Sequence, residues 1–221
     1  MNTSTNKTAA VIPFYNEKKF IEKIIGSVLP YTDMIIAVDD GSTDGTAGLI
    51  KKSDKITVIS HQTNLGKGAA LNTGFRKSIE MGFDYTITID ADLQHDPSYI
   101  PALLKEKEKY DIVIGNRLHT MKDMPYSRRL SNFLTSTILT LKTGSEIKDS
   151  QCGFRVYRTS ILADILPEFT GFEAESEILI NAARNNLKIG FADIPTIYGE
   201  EESKMKNKEA ILGFLKVVFK K

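Results

Sequence analysis

Asp90 and Asp92 are two carboxylates one residue apart, at the end of the apolar run Tyr85-Thr86-Ile87-Thr88-Ile89, and Gln94 follows two positions on. At a strand end, carboxylates at this spacing can both turn toward one cation, and Gln94 adds a neutral oxygen. Hard divalent ions such as Mg2+ or Mn2+ take such donors and complete their shell with water and substrate phosphates. Asp90, Asp92 and Gln94 are therefore candidate ligands of a divalent metal carrying a diphosphate. The competing structural role is a helix cap ahead of Pro97, to which Asp96 is better suited.

A second acidic cluster, Asp39-Asp40-Gly41-Ser42-Thr43-Asp44-Gly45, superficially resembles a calcium loop. Counted from Asp40, position twelve is Lys51, where that loop requires a bidentate Glu. Carboxylates at a strand end can instead accept hydrogen bonds from a base or ribose. An Asx-turn or helix cap is the alternative, and Asp44 suits it.

Asn64-Leu65-Gly66-Lys67-Gly68 is not a P-loop, since Gly68 stands where Ser or Thr is needed and His61 where a glycine is needed. Lys67 between glycines at a helix start can meet phosphate or simply belong to a tight turn. No G-x-G-x-x-G occurs, which argues against a nicotinamide or flavin enzyme. His61, His95 and His119 are scattered and form no triad with Cys152 or a serine, so surface or packing roles are expected. Cys152 lies in a glycine turn and reads as buried rather than nucleophilic.

The elements that must hold these residues follow from hydropathy. Apolar runs at 9–12, 34–38, 56–59, 85–89 and 111–115 read as buried strands, the first stopped by Pro13. Between them, 17–29, 46–52, 68–81 and 97–110 have helical spacing. That alternation predicts an α/β fold with a mostly parallel sheet flanked by helices, in which ligands bind beyond the carboxyl ends of the strands. Tyr15-Asn16-Glu17, Asp39-Asp40, Asp90-Ala91-Asp92 and Asn116-Arg117 all fall at such ends. Beyond Arg117 the rhythm changes: helices are expected at 127–142 and 176–185, strand-like segments at 156–157 and at 189–197 up to Pro195.

Composition narrows the function. Lys+Arg is 29 and Asp+Glu 28, a net charge of +1 in 221 residues, which gives no field for nucleic acid. The single cysteine excludes an internal disulfide framework and fits a reducing, cytoplasmic setting. No apolar run approaches the roughly 20 residues of a membrane span. The chain divides into a polar tail (1–8), a catalytic domain (9–205) and an amphipathic helix (206–221).

Six motifs in order resemble glycosyltransferase family 2, and within it the dolichyl-phosphate mannosyltransferase and polyprenyl-phosphate sugar transferase group. They are Ile12-Pro13-Phe14-Tyr15-Asn16-Glu17, the run from Val38 through Thr46, Asn64-Leu65-Gly66-Lys67-Gly68, Asp90-Ala91-Asp92-Leu93-Gln94, Gly115-Asn116-Arg117 and Asp149-Ser150-Gln151-Cys152-Gly153-Phe154-Arg155. The resemblance implies a Rossmann-like GT-A fold and inverting transfer from a nucleotide-diphosphate sugar of the GDP-mannose or UDP-glucose type. By that analogy Pro13, Tyr15, Glu17, Val38 and Asp40 hold the nucleoside. Asp90, Ala91, Asp92 and Gln94 hold metal and diphosphate, with Lys67 on the donor side. Asp92 and Arg117 serve catalysis near the phosphates, and Lys204 of Ser203-Lys204-Met205 lies near phosphate. Toward the acceptor the candidates are Arg128, Arg129, Asp149, Gln151, Arg155 and Glu177, although Glu177 can equally orient a helix. Tyr198 stands where the mannosyltransferases carry Arg, and Glu200, Glu201 and Glu202 follow it.

A hydroxyl acceptor needs a carboxylate base, whereas a phosphate acceptor is already anionic. Family members that use hydroxyls carry a late Glu-Asp pair, and processive synthases a late Arg-Trp motif. This chain has Glu173, Glu175 and Glu177 without such a pair, and no Trp. Both features favour a polyprenyl phosphate acceptor at the cytoplasmic membrane face. The alternatives are a glycolipid or polysaccharide hydroxyl acceptor, or a nucleotide-sugar-binding module without turnover. Arg128 and Arg129 open one amphipathic segment, and Phe214, Leu215, Val217, Val218 and Phe219 with Lys216, Lys220 and Lys221 form another. These predict peripheral membrane contact; packing on the body or a homodimer contact is the competing reading.

Overall fold

The computed structural model describes residues 6–118, 124, 126–197 and 207–220. Its strands are β1 (Thr8–Phe14), β2 (Met34–Asp39), β3 (Ile56–Ser60), β4 (Tyr85–Thr88), β5 (Ile112–Asn116), β6 (Arg155–Arg158) and β7 (Ile189–Asp193). Its helices are α1 (Ile21–Val28), α2 (Lys67–Glu80), α3 (Ile100–Lys105), α4 (Tyr126–Thr143), α5 (Leu162–Ile165), α6 (Ala174–Arg184) and α7 (Asn207–Phe219).

The strands form one sheet in the order β3-β2-β1-β4-β6-β5-β7. All pairings are parallel except those of β6, which runs antiparallel to β4 and β5. From β1 the chain builds outward through β2 and β3, then returns to place β4 on the other side of β1. A crevice opens at such a reversal, beyond the carboxyl ends of the strands. Because β6 is reversed, its first residue, Arg155, lies at this same edge, in register with Thr88 and Ile114.

Both faces of the sheet are covered. Ala9, Val11, Ile36 and Val38 cluster with Ala70 of α2, while Ala10, Ile12, Phe14, Ile35 and Ala37 share a larger cluster with Ile21, Ile24, Ile25 and Val28 of α1. Each fully buried Ile contributes about 1.5–3 kcal/mol. Near-continuous apolar strands are the result of burial on two faces. At Gly74 a Cβ would run into the Val11 side chain, so α2 lies close upon β1.

Several boundaries differ from the hydropathy reading for local reasons. β1 continues through Pro13, in register with Val38. The Phe14 carbonyl accepts from Asp40 on the β2 side and the Val11 carbonyl from Ile89 on the β4 side. Position 13 therefore faces where β4 has already ended, and its missing N–H breaks no ladder bond. The segment 97–110 holds a short 3-10 turn, Pro97–Tyr99, and then only α3. Asp96 caps that turn, accepting from Ser98 N at 2.9 Å. β7 ends at Asp193, and α5 had no hydropathy signal of its own. Among the described residues, no helix is long and apolar enough to cross a membrane.

Candidate active site

Asp90 and Asp92 follow β4 into the crevice, on a turn in which Leu93 takes the left-handed φ of 63°. Asp92 Oδ1 accepts from Gln94 N at 3.0 Å. The Lys67 ammonium, at the start of α2, lies 2.7 Å from Asp90 Oδ1 and 3.2 Å from Glu175 Oε2 of α6. On the other side the backbone of Gly153 abuts the Asp90 carboxylate, where a Cβ would collide with it.

Burial works against the charge on Asp90, but Lys67, with Arg117 beyond it, outweighs it and holds the carboxyl below the usual range. At Asp92 burial and then the charge of Asp90 outweigh the pull of Lys67 and push the carboxyl up to about 6. Burial alone would lower Lys67, yet Asp90 and Glu175 raise it well above the ordinary ammonium range. His95 is buried against Phe154, ring centroids 5.6 Å apart. Burial and the nearby Arg117 lower it to about 4, so it is neutral at pH 7, and its Nδ1 has no hydrogen-bond partner among the described residues.

The donor chemistry fits a hard divalent cation. Asp90 and Asp92 follow one strand end with Gln94 two positions on, and the raised Asp92 marks negative charge that a cation would balance. Among the described residues no cluster of three or more His, Cys, Asp or Glu could hold a metal alone. Water and substrate oxygens would have to complete the shell.

Arg117, just past β5, is gripped by Asp149. Its Nε and Nη2 donate to the two carboxylate oxygens at 2.8 and 2.9 Å, and its backbone N–H to Oδ2 at 3.1 Å. Asn132 of α4 donates to Asp149 Oδ1 at 2.7 Å. Burial would raise Asp149, but Arg117 overrides it and keeps the group below the usual range. This fork fixes the guanidinium plane. Gln151 donates to Ser131 and Thr135 of α4 at 3.1 and 3.2 Å. Arg129 Nε donates to the Met124 carbonyl at 2.7 Å, and Arg128 lies half-buried near the start of α4.

Two acceptor-side candidates, Arg155 and Glu177, are committed to structural partners. Arg155 is fully buried and donates to the carbonyls of Cys152, Glu175 and Ser150; it braces the turn that meets Asp90. Glu177 accepts from Glu168 N and Phe169 N at 2.8 and 2.9 Å and from Lys220 Nζ at 2.8 Å. Cys152 is buried and burial pushes its thiol up to about 12, consistent with a packing role.

On the nucleoside side, Val38 is fully buried among apolar groups, so only its backbone can meet a ligand. Tyr15 and Glu17 are half-buried on the turn after β1. In that turn Asn16, at φ 53°, takes Ser42 Oγ with its N–H and accepts from Thr43 N at 2.8 Å. Asp40 accepts from Leu65 N at 2.9 Å and Gly66 N at 2.8 Å, and meets His61 Nδ1 at 2.8 Å. Asp44 accepts from Thr46 N at 3.0 Å, the turn role its sequence suggested.

The start of α2 is closed rather than open to phosphate: Gly68 N and Ala69 N both donate to the Thr170 carbonyl, at 2.6 and 3.3 Å. A Cβ at Gly66 or Gly68 would strike this carbonyl segment. Of Lys67's two sequence readings, the tight turn is therefore present, and its ammonium serves Asp90. Thr170, Glu175 and Asn132 carried no local motif; they reach the site only through long-range contacts. His119, Tyr198 and Lys204 lie outside the described residues.

Beside Asn116 a groove of about 440 Å3 runs along α4, lined by Leu118, Phe133, Thr137, Leu141 and Ile147. On the outer surface of α4, Tyr126 is 78%, Phe133 63% and Leu141 81% exposed. α7 splits its apolar residues. Val217 is buried and Phe214 half-buried against the body, while Ile211, Leu212, Leu215 and Phe219 are exposed. Phe214 and Val217 thus belong to packing rather than to an outer apolar face.

Residues 9–166 match the sequence profile of Glycosyl transferase family 2. The chain is 33% identical to a UDP-N-acetylglucosamine–dolichyl-phosphate N-acetylglucosaminyltransferase of Methanococcus voltae, over 92% of this chain and 90% of that protein. It is 29% identical to an undecaprenyl-phosphate mannosyltransferase of Micrococcus luteus, over 89% and 85% respectively. Among solved structures it resembles glucosyl-3-phosphoglycerate synthase of Mycobacterium tuberculosis, determined with Mn2+, UDP and phosphoglyceric acid. The TM-score is 0.72 at 20% identity, over 97% of this chain and 76% of that one. The fold is GT-A.

Proposed function

Because the chain belongs to glycosyltransferase family 2, we propose that it moves a sugar, with inversion, from a nucleoside-diphosphate sugar to a polyprenyl phosphate. The observation that carries the acceptor is the state of Glu175 and Glu177, two of the three late glutamates. Glu175 is paired with Lys67, and Glu177 is enclosed by two backbone N–H groups and Lys220. Neither is placed to take a proton from an acceptor hydroxyl, and a phosphate acceptor needs no such base. The dolichyl- and undecaprenyl-phosphate relatives point the same way.

In this reading the base and ribose lie along the turn of Tyr15 and Glu17, against the backbone of Pro13 and Val38. Asp90, Asp92 and Gln94 would hold a Mg2+ or Mn2+ ion, which would supply charge neutralisation for the departing nucleoside diphosphate. Lys67 keeps Asp90 ionised and oriented. Arg117, locked by Asp149, presents a fixed cation beside the same charge; such preorganised groups stabilise a transition state without reorganising. The acceptor phosphate attacks the opposite face of the anomeric carbon. Its lipid lies in the groove beside Asn116 and along α4, and the exposed residues of α4 and α7 rest on the cytoplasmic membrane face. Basic side chains there contribute about 1 kcal/mol each on an anionic leaflet.

The test is a matrix of donors (UDP-N-acetylglucosamine, UDP-glucose, GDP-mannose) against acceptors (a polyprenyl phosphate, the matching polyprenol, 3-phosphoglycerate), with Mn2+. Transfer to the lipid phosphate alone is expected. Efficient transfer to a hydroxyl acceptor overturns the assignment.

A further inference from the structure

Lys220, immediately after α7, makes three side-chain contacts with α6 and the segment before it. Its ammonium lies 2.8 Å from Glu177 Oε1 and 2.9 Å from Glu168 Oε2, and 5.2 Å from the centre of the Phe169 ring. Glu177 is almost fully buried, and its other oxygen accepts from the backbone N–H groups of Glu168 and Phe169. The segment so held leads directly to Thr170, whose carbonyl closes the first turn of α2. Asn72 of α2 adds a bond to the Pro167 carbonyl at 2.7 Å. From that first turn Lys67 reaches Asp90.

We propose that Lys220 is a positioning residue for the strand-end site, acting through Glu177 and the 167–170 segment on the turn that presents Lys67. The turn 65–69 is held from two sides, by Asp40 at Leu65 and Gly66 and by Thr170 at Gly68 and Ala69. Of these two sides, the second leads to α7. Glycines at 66 and 68 allow the close approach of the Thr170 carbonyl, so a small shift of the 167–170 segment moves Lys67 rather than being absorbed. The exposed residues Ile211, Leu212 and Leu215 lie on the same helix. Whatever seats α7 on the body therefore also sets the geometry at Asp90. The consequence for turnover rests on the donor site proposed above; the mechanical link does not.

The experiment reads both parts separately in the full chain. Lys220→Met should speed amide hydrogen exchange at Gly68 and Ala69 by about tenfold, a local opening, and leave the central strand amides of Ile35 to Val38 unchanged. Lys220→Arg should restore protection. Unchanged exchange at Gly68 and Ala69 in Lys220→Met overturns the proposal, whatever the activity does. In transfer assays, the double variant with Lys67→Met should lose no more than Lys67→Met alone, within about twofold, because both act along one path. Losses that multiply show that Lys220 acts independently and also overturn it. Faster exchange with donor binding unmoved in calorimetry upholds the link and counts against the donor site.

Discussion

The Lys67 ammonium and the Asp90 carboxylate meet at 2.7 Å although one opens α2 and the other follows β4. Glu175 completes the group from α6 at 3.2 Å. Three elements thus converge on one charge cluster, and the carboxylate proposed to hold a metal is already balanced by a protein cation.

Removing that cation leaves Asp90 and Glu175 as neighbouring carboxylates. Lys67→Met should cost about 3 kcal/mol, the low end for breaking a buried pair, since the Asp90 side chain keeps 25% exposure. Added Mn2+ should then raise the thermal midpoint more in the variant than in the parent protein. Equal midpoints without metal would show the pair to be incidental.

Turnover should depend on Mg2+ or Mn2+. Asp92→Ala should reduce kcat by about 100-fold or more, as when a key electrostatic stabiliser is lost. Full activity in excess chelator would remove the metal from the mechanism.

Asp149 carries a pH signature. Its folded-state pKa is lowered, burial being outweighed by Arg117. A group depressed on folding contributes stability above its unfolded pKa of about 3.9 and loses that contribution as pH falls through the folded value. Urea unfolding should therefore show Asp149→Asn weaker than the parent at pH 7, with the gap narrowing below about pH 4. A gap independent of pH contradicts the ionised pair.

Asp40 accepts two backbone N–H groups as well as meeting His61. The sequence suggested a nucleoside contact, with an Asx-turn or helix cap as the alternative. With these partners, Asp40→Ala should destabilise the protein by about 1–3 kcal/mol, the cost of buried donors left unsatisfied. Chemical denaturation measures this, and an unchanged midpoint with weakened nucleotide binding would return Asp40 to the ligand.

The exposed residues of α4 and α7 make membrane contact measurable. The protein should co-sediment with anionic vesicles, less so as salt rises. Replacing Ile211, Leu212 and Phe219 together by Ser should reduce binding, whereas these exposed positions contribute little to folding. Vesicle binding equal to that of the parent would confine these residues to another role.

Much was legible without coordinates because it is local. Strands buried on both faces must be largely apolar, so β1, β2 and β5 announce themselves; β4, with two threonines, and the half-buried edge strand β3 are weaker cases, and polar residues that follow such strands must lie at the carboxyl edge. That is why Asp90, Asp92 and Arg117 could be placed from sequence. Asp96 and Asp44 were legible for a similar reason: a cap or Asx-turn bonds to residues two positions on.

The tertiary structure decided what those residues do to one another. No periodicity tells that β6 enters antiparallel between β4 and β5 and so brings Gly153 against Asp90. Nor does it tell that Thr170 closes the first turn of α2 or that Lys67 pairs with Asp90. Arg155 and Glu177 read as acceptor-side charges, yet burial commits one to three carbonyls and the other to two amides and Lys220. The division has one physical cause. Secondary structure is selected by neighbours within a few positions, whereas a buried charge is assigned its role by whichever partner the folded chain brings within about 3 Å of it, and that partner is remote in sequence.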